Sequence, residues 1–232
     1  MAQAQAKHRI TRQHLKEDPF ANFIFRAREW VEDNLRLVLI VVGAIVVVVV
    51  AVWAINSYTT GREDTAARLF GEAGVSLRSN DLPGAILSLQ SVVDNYGGSD
   101  VAGLACFQLA DAYFRQRRFD DAKVYYQRYL DDYGKDPMLV ASAWGGLAAI
   151  DEHAQDFTAA VEKNFKAADI NPKSFMRAEY LRQAIRCAIE GNDTTAAIRA
   201  LGEIEASDTD QRNKDMARQR LIEHGYLQPT DE

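Results

Sequence analysis

Four short phrases recur along the chain: LPGAILSL at 82–89, FDDAKVYY at 119–126, FTAAVEKN at 157–164 and TTAAIRAL at 194–201. The alanines three residues into each phrase, Ala85, Ala122, Ala160 and Ala197, follow one another at intervals of 37, 38 and 37 residues. Self-similarity at such a period marks a solenoid. No single unit can bury its apolar face alone, so neighbouring units must stack to make a continuous core. Each period holds two helical patterns. The first helices are predicted over 65–79, 101–116, 138–153 and 175–190, and the second over 83–96, 119–133, 156–170 and 193–206. Breakers separate them at Asn80–Asp81, Gly97–Gly98, Gly134 to Pro137, Asn171–Pro172 and Gly191–Asn192. A last amphipathic stretch, Gln211 to Tyr226, carries Met216, Leu221 and Ile222 on one side and fits a helix capping the open end. The fold class is therefore all-α.

The third unit places Trp144, Leu147 and Ala148 on its first helix, Phe157, Ala160 and Ala167 on its second, and Pro172 at its end. The second unit has Leu109, Ala110, Tyr113, Phe119, Ala122, Tyr126 and Tyr129 in the matching places. The first and fourth keep chiefly Ala85, Leu89 and Ala197, Leu201. In this pattern 65–206 resembles the tetratricopeptide repeat (TPR) family. The spacing departs from the usual 34 residues, and alanine stands where glycine is usual. The resemblance implies an α-solenoid of about four helix pairs, with Trp144 as the leading core aromatic of a repeat at the centre of the array. It also implies a concave face lined by first helices, whose inward residues would be Phe70, Leu77, Phe107, Asp111, Phe114, Arg115, Arg182 and Arg186. A groove mixing phenylalanine and arginine suits an amphipathic segment of a protein partner. The Lys/Asn carboxylate clamp of chaperone-binding members is absent.

Ahead of the repeats lies Leu37 to Ile55, LVLIVVGAIVVVVVAVWAI, without a charge or a proline. As a helix it spans about 28 Å, close to the hydrocarbon thickness of a bilayer. It is too long for the core of a signal peptide and lacks a good cleavage pattern. Trp53 and Tyr58 sit where an interfacial aromatic belt belongs. Lys7, Arg9, Arg12, Lys16, Arg26, Arg28 and Arg36 precede the run, whereas the twenty residues after it offer only Arg62 and Arg68. This asymmetry predicts a cytoplasmic N-terminus and a C-terminal domain outside, in a bacterium the periplasm. Residues 1–10 are polar and expected to be disordered. Asp18 and Pro19 signal a helix start, and Phe20, Phe23, Ile24, Ala27, Trp30 and Val31 recur at helical spacing. That helix would lie along the membrane surface or pack on a partner subunit. The expected domains are a cytoplasmic arm at 1–36, a transmembrane helix at 37–56 and a periplasmic TPR-like solenoid at 57–232. One N-terminal span before about four repeats is similar to the bacterial inner-membrane TPR proteins typified by the ancillary subunit of the Sec translocon. That resemblance implies a periplasmic scaffold that binds other proteins.

Beyond residue 36 the chain carries twenty Lys and Arg against twenty-eight Asp and Glu, which argues against nucleic acid as its partner. There is no phosphate-binding loop, nucleophile elbow, H-E-x-x-H or C-x-x-C. No catalytic, cofactor or metal-binding residue and no small-molecule substrate is predicted. His153, beside Asp151 and Glu152, reads as a solvated helix end. Tyr125, Tyr126, Tyr129 and Tyr133 read as core. Cys106 and Cys187 fall two repeats apart, beyond disulfide reach, and are expected as buried free thiols. Two functions fit. One is a membrane-anchored scaffold for secretion, envelope assembly or chaperone-associated clients. The other is a structural accessory subunit of a large membrane complex, held through its transmembrane and amphipathic helices.

Overall fold

The computed structural model describes residues 19–228. The polar arm with Lys7, Arg9, Arg12, Lys16 and Asp18 lies outside the described residues. Among those described there are ten α-helices and no strand. The chain divides into two compact units, Met1–Thr59 and Thr60–Glu232.

In the first unit, α1 (Pro19–Asp33) opens on a proline, whose missing N–H costs nothing in a first turn. It ends at Asn34, whose backbone N–H and side-chain amide both donate to the Trp30 carbonyl, at 3.0 and 2.9 Å. Phe23, Phe25 and Trp30 are exposed along it. The next helix, α2 (Leu35–Arg78), is 44 residues long. Its apolar stretch has a mean hydropathy of 3.3 with no residue buried, and is long and apolar enough to cross a membrane. The separate helix expected over 65–79 is the continuation of α2. Nothing between Asn56 and Thr65 breaks it: Gly61 alone costs about 1 kcal/mol. The Thr59 and Thr65 hydroxyls bond back to the carbonyls of Asn56 and Gly61, at 3.0 and 2.8 Å.

The second unit takes the rest of α2 and then α3 (Leu82–Asn95), α4 (Ala102–Arg115), α5 (Phe119–Arg128), α6 (Pro137–His153), α7 (Phe157–Ile170), α8 (Arg177–Glu190), α9 (Thr194–Glu205) and α10 (Gln211–Glu223). A π-helical turn, Tyr129–Tyr133, prolongs α5. One turn design repeats inside each helix pair. Asn80, Arg117, Gln155 and Asn192 adopt positive φ, between 56° and 62°. The N–H of the next residue reaches back five positions, as in Asp81 to Ser76 (2.8 Å) and Asp193 to Ala188 (2.7 Å), closing the first helix in a Schellman motif. Asp81, Asp156 and Asp193 then cap the second helix by accepting from Gly84, Ala159 and Ala196 N–H, at 3.0, 3.1 and 2.9 Å. Such a cap contributes about 1 kcal/mol. The second pair has Arg118 at this place and no side-chain cap.

The four repeat alanines are fully buried, which lets helix backbones approach closely. The core forms two clusters. One gathers Leu89, Leu109, Tyr113, Tyr126 and Tyr129, and the other Phe165, Leu181, Ile185, Ile204 and Leu221. They meet at α6, which sends Ala143, Leu147 and Ile150 to the first and Ala141 to the second. A methyl group added at Gly146 would stand 2.5 Å from Cζ of Tyr126, and one at Gly145 would stand 2.8 Å from Cε1 of Tyr180. A side chain at either position would have to displace a buried tyrosine ring. Trp144, expected as a core aromatic at the centre of the array, is partly exposed and packs against both clusters, with Lys166 Nζ 4.9 Å from its ring centre. The two tyrosines take the deep positions beside α6, and the indole is left at the seam.

Cys106 and Cys187 are buried and unpaired, and burial pushes their thiols up to about 12 and about 11. On α10 the inward pair is Ala217 and Leu221. Met216, expected on that face, is 42% exposed, because inward residues four apart leave it one position round the helix.

Candidate functional site

Register along the solenoid places the predicted binding residues in columns. Phe70, Phe107, Gly145 and Arg182 occupy one position of successive first helices, and Asp111, Ala149 and Arg186 another. The first column thus passes from aromatic rings to a guanidinium. The structure brings Arg182 and Arg186 together in a groove of about 220 Å³ between α8 and α10, walled by Glu179, Gln183, Met216 and Arg220. Arg186 reaches across to α6, where its guanidinium forks onto both carboxylate oxygens of Glu152, one at 2.8 Å. Gln183 accepts from Arg186 Nε at 3.0 Å and donates to Glu179 at 2.7 Å, and Glu179 in turn pairs with Arg182. The bidentate link fixes Arg186 in place. Among the described residues Arg182 pairs with Glu179 on its own helix alone and is the freer cation.

The remaining predicted residues lie elsewhere. Phe107 meets Tyr126 and Tyr129 edge to face, with ring centres 5.8 and 5.7 Å apart. Phe70 and Leu77 are half-buried against the first cluster. Phe114 packs edge-on to Phe119 at 5.4 Å and beside His153 at 6.0 Å. Asp111 is raised above its ordinary pKa of 3.8 by burial, with Arg115 opposing. Arg115, in the last turn of α4, donates to Asn80 Oδ1 of the preceding repeat at 3.3 Å. The α8–α10 groove needs Glu152, Glu179, Gln183 and Arg220, none of them anticipated from sequence. Glu179 and Gln183 could have been found, since each stands three positions before an arginine on the same helix. Among the described residues no three His, Cys, Asp or Glu side chains cluster as a metal site would require.

The sequence pattern of the family described as tetratricopeptide repeat-like domain matches residues 28–179, more than half of the chain. The chain belongs to that family. Solved TPR structures share its fold. A tetratricopeptide repeat protein from Parabacteroides merdae superposes with a TM-score of 0.55 at 15% identity, over 69% of this chain and 63% of that one. The match thus spans less than two thirds of that protein. The MamA protein superposes with a TM-score of 0.53 at 14% identity, over 70% of this chain and 88% of that one. No curated protein matches the chain. TPR folds serve in general as protein–protein interaction scaffolds and are in general non-catalytic.

Proposed function

We propose that this TPR protein is a membrane-anchored scaffold. In this reading α2 crosses the bacterial inner membrane once, with the N-terminus cytoplasmic and the repeats in the periplasm, binding protein partners along the concave face. The observation that carries it is the apolar stretch of α2, with mean hydropathy 3.3 and, among the described residues, none of it buried, in a chain whose repeats build two buried apolar clusters of their own. The Lys and Arg excess before the span supports the orientation. The family match begins at Arg28 and so takes in the apolar helix as well as the repeats, which supports reading them as one architecture resembling the ancillary Sec subunit family. A phosphatase fused after Glu232 should be active, and a cytoplasmic reporter at the same site silent. The reverse result overturns anchor orientation and location together. For the binding face, Arg182→Glu should lose the partners recovered with the full chain in mild detergent at almost unchanged stability. Unaltered recovery removes the concave face from the reading.

A second reading is a permanent accessory subunit of a membrane complex. It is favoured by the exposed Phe23, Phe25 and Trp30 of α1, which would form part of the interface. Recovery of one fixed-stoichiometry complex, unaffected by Arg182→Glu, would select it.

A further inference from the structure

We infer that the turn joining α4 to α5 is a second binding surface, specific for an acidic segment of a protein partner and separate from the α8–α10 groove. Three of the four turns inside helix pairs are built alike: Asn or Gln at positive φ, followed by a capping Asp. The turn at Gln116 to Arg118 has arginine at both places. Arg117 holds φ at 60°, a conformation that asparagine accepts more readily, and Arg118 leaves α5 without a side-chain cap. One substitution at each place would restore what the other turns have. A chain that departs twice from its own local rule at one exposed point is keeping those residues for something other than the fold.

What they make is a concentration of positive charge at the turn itself, flanked by Asp111 on α4 and by Asp120 and Asp121 in the first turn of α5. Arg115, Arg117 and Arg118 fall within four residues, and Arg78 stands one repeat earlier at the position of Arg115. Contact between the two turns is direct, through Arg115 and Asn80 at 3.3 Å. Arg118 lies over the Tyr113 ring at 4.5 Å and pairs with Asp121 at 2.7 Å, and Arg117 sits 5.9 Å from the centre of Phe119. The rings and Asp121 hold these cations in place while their exposed ends face solvent. The corresponding turns carry Asp156 with neutral Gln155, and Glu190 with Asp193, so the patch is an island in an acidic domain. This selects the occupant. An anionic bilayer or a nucleic acid would press its charge against the acidic surroundings as well, whereas a short acidic segment can reach the one turn alone.

The test uses the full chain in a non-ionic detergent and a fluorescein-labelled oligoglutamate peptide, followed by anisotropy. Binding should weaken steeply with added salt. The double variant Arg117→Asn, Arg118→Asp should lose affinity about tenfold or more and melt no lower than the parent, because it restores the turn design. Arg182→Gln with Arg186→Gln should leave peptide affinity within about twofold, which keeps this outcome distinct from that of the α8–α10 groove. Unchanged affinity in the turn variant overturns the inference. So does a lower melting temperature, which would make the arginines structural. Binding of soluble short-chain phosphatidylglycerol without binding of the peptide would assign the patch to a lipid headgroup and overturn it too.

Discussion

Truncating Trp144 to alanine should weaken the second unit and also uncouple its two halves. Truncating a fully buried indole costs about 3–5 kcal/mol. Trp144 is partly exposed but has most of its surface covered, so somewhat less than that, about 2–3 kcal/mol, is at stake in packing. The Lys166 ammonium over its face adds about 0.5–1 kcal/mol. The expected loss is about 2.5–4 kcal/mol, a fall in melting temperature of about 5–15 °C for a domain of this size. The distribution of the loss is more diagnostic than its size. Trp144 packs against both core clusters, and the chain carries one buried thiol in each, Cys106 in the first and Cys187 in the second. Thiol labelling against urea concentration therefore reports each half separately. The parent should expose both thiols in one transition. Trp144→Ala should expose them at different urea concentrations, because a linear array loses cooperativity when a neighbour interface weakens. Coincident labelling in both proteins would refute the coupling role. A stability change below about 0.5 kcal/mol would refute the packing estimate.

Three other substitutions probe α6 and its surroundings. Gly146→Val places its side chain against the Tyr126 ring and should destabilise by about 1–3 kcal/mol, with partial recovery when Tyr126→Leu is added; denaturant melts of both variants check this. Lys163→Met leaves Asp151 buried without its partner and should cost about 3 kcal/mol, whereas Lys163→Met with Asp151→Leu should recover most of it, as read by the same melts. Asp111 has a raised pKa in the folded state, so its contribution is fully present below about pH 3.8 and is lost as pH rises through the folded value. Asp111→Asn should therefore melt higher than the parent near pH 7, and the gap should close in acid; a pH-independent difference would show that the carboxylate charge is not the cause.

The helix pairs were legible because their boundaries are written in local chemistry. Asn80–Asp81 and Asn192–Asp193 combine a residue tolerant of positive φ with an N-cap, and each signal survives in a single short window of sequence. Where no such signal exists the sequence misleads. The stretch from Asn56 to Thr65 changes from apolar to polar without a breaker, so a change of environment looks like a change of helix, yet α2 runs on to Arg78. The depth of Trp144 escapes the repeat pattern for a different reason. Its neighbours Gly145 and Gly146 admit Tyr180 and Tyr126 from other helices, and that competition for space depends on residues more than thirty and about twenty positions away.

The binding residues show the same division. Periodicity places Phe107 and Arg182 in one column, and Asp111 and Arg186 in another, but a column does not tell which side chain is held and which is free. Arg186 is fixed by Glu152, 34 positions away, while Arg182 answers only to Glu179 three positions before it. A long-range carboxylate thus separates two arginines that the repeat pattern treats alike. It removes Arg186 as an independent contact while leaving its charge at the groove. Arg182→Glu should accordingly change binding without changing the fold, at a surface-pair cost of about 1 kcal/mol or less. Arg186→Glu would set three carboxylates, Glu152, Glu179 and its own, around the same groove and should lower both stability and partner recovery. Equal stability for the two variants would mean that the Arg186–Glu152 link does not join α8 to α6 in solution.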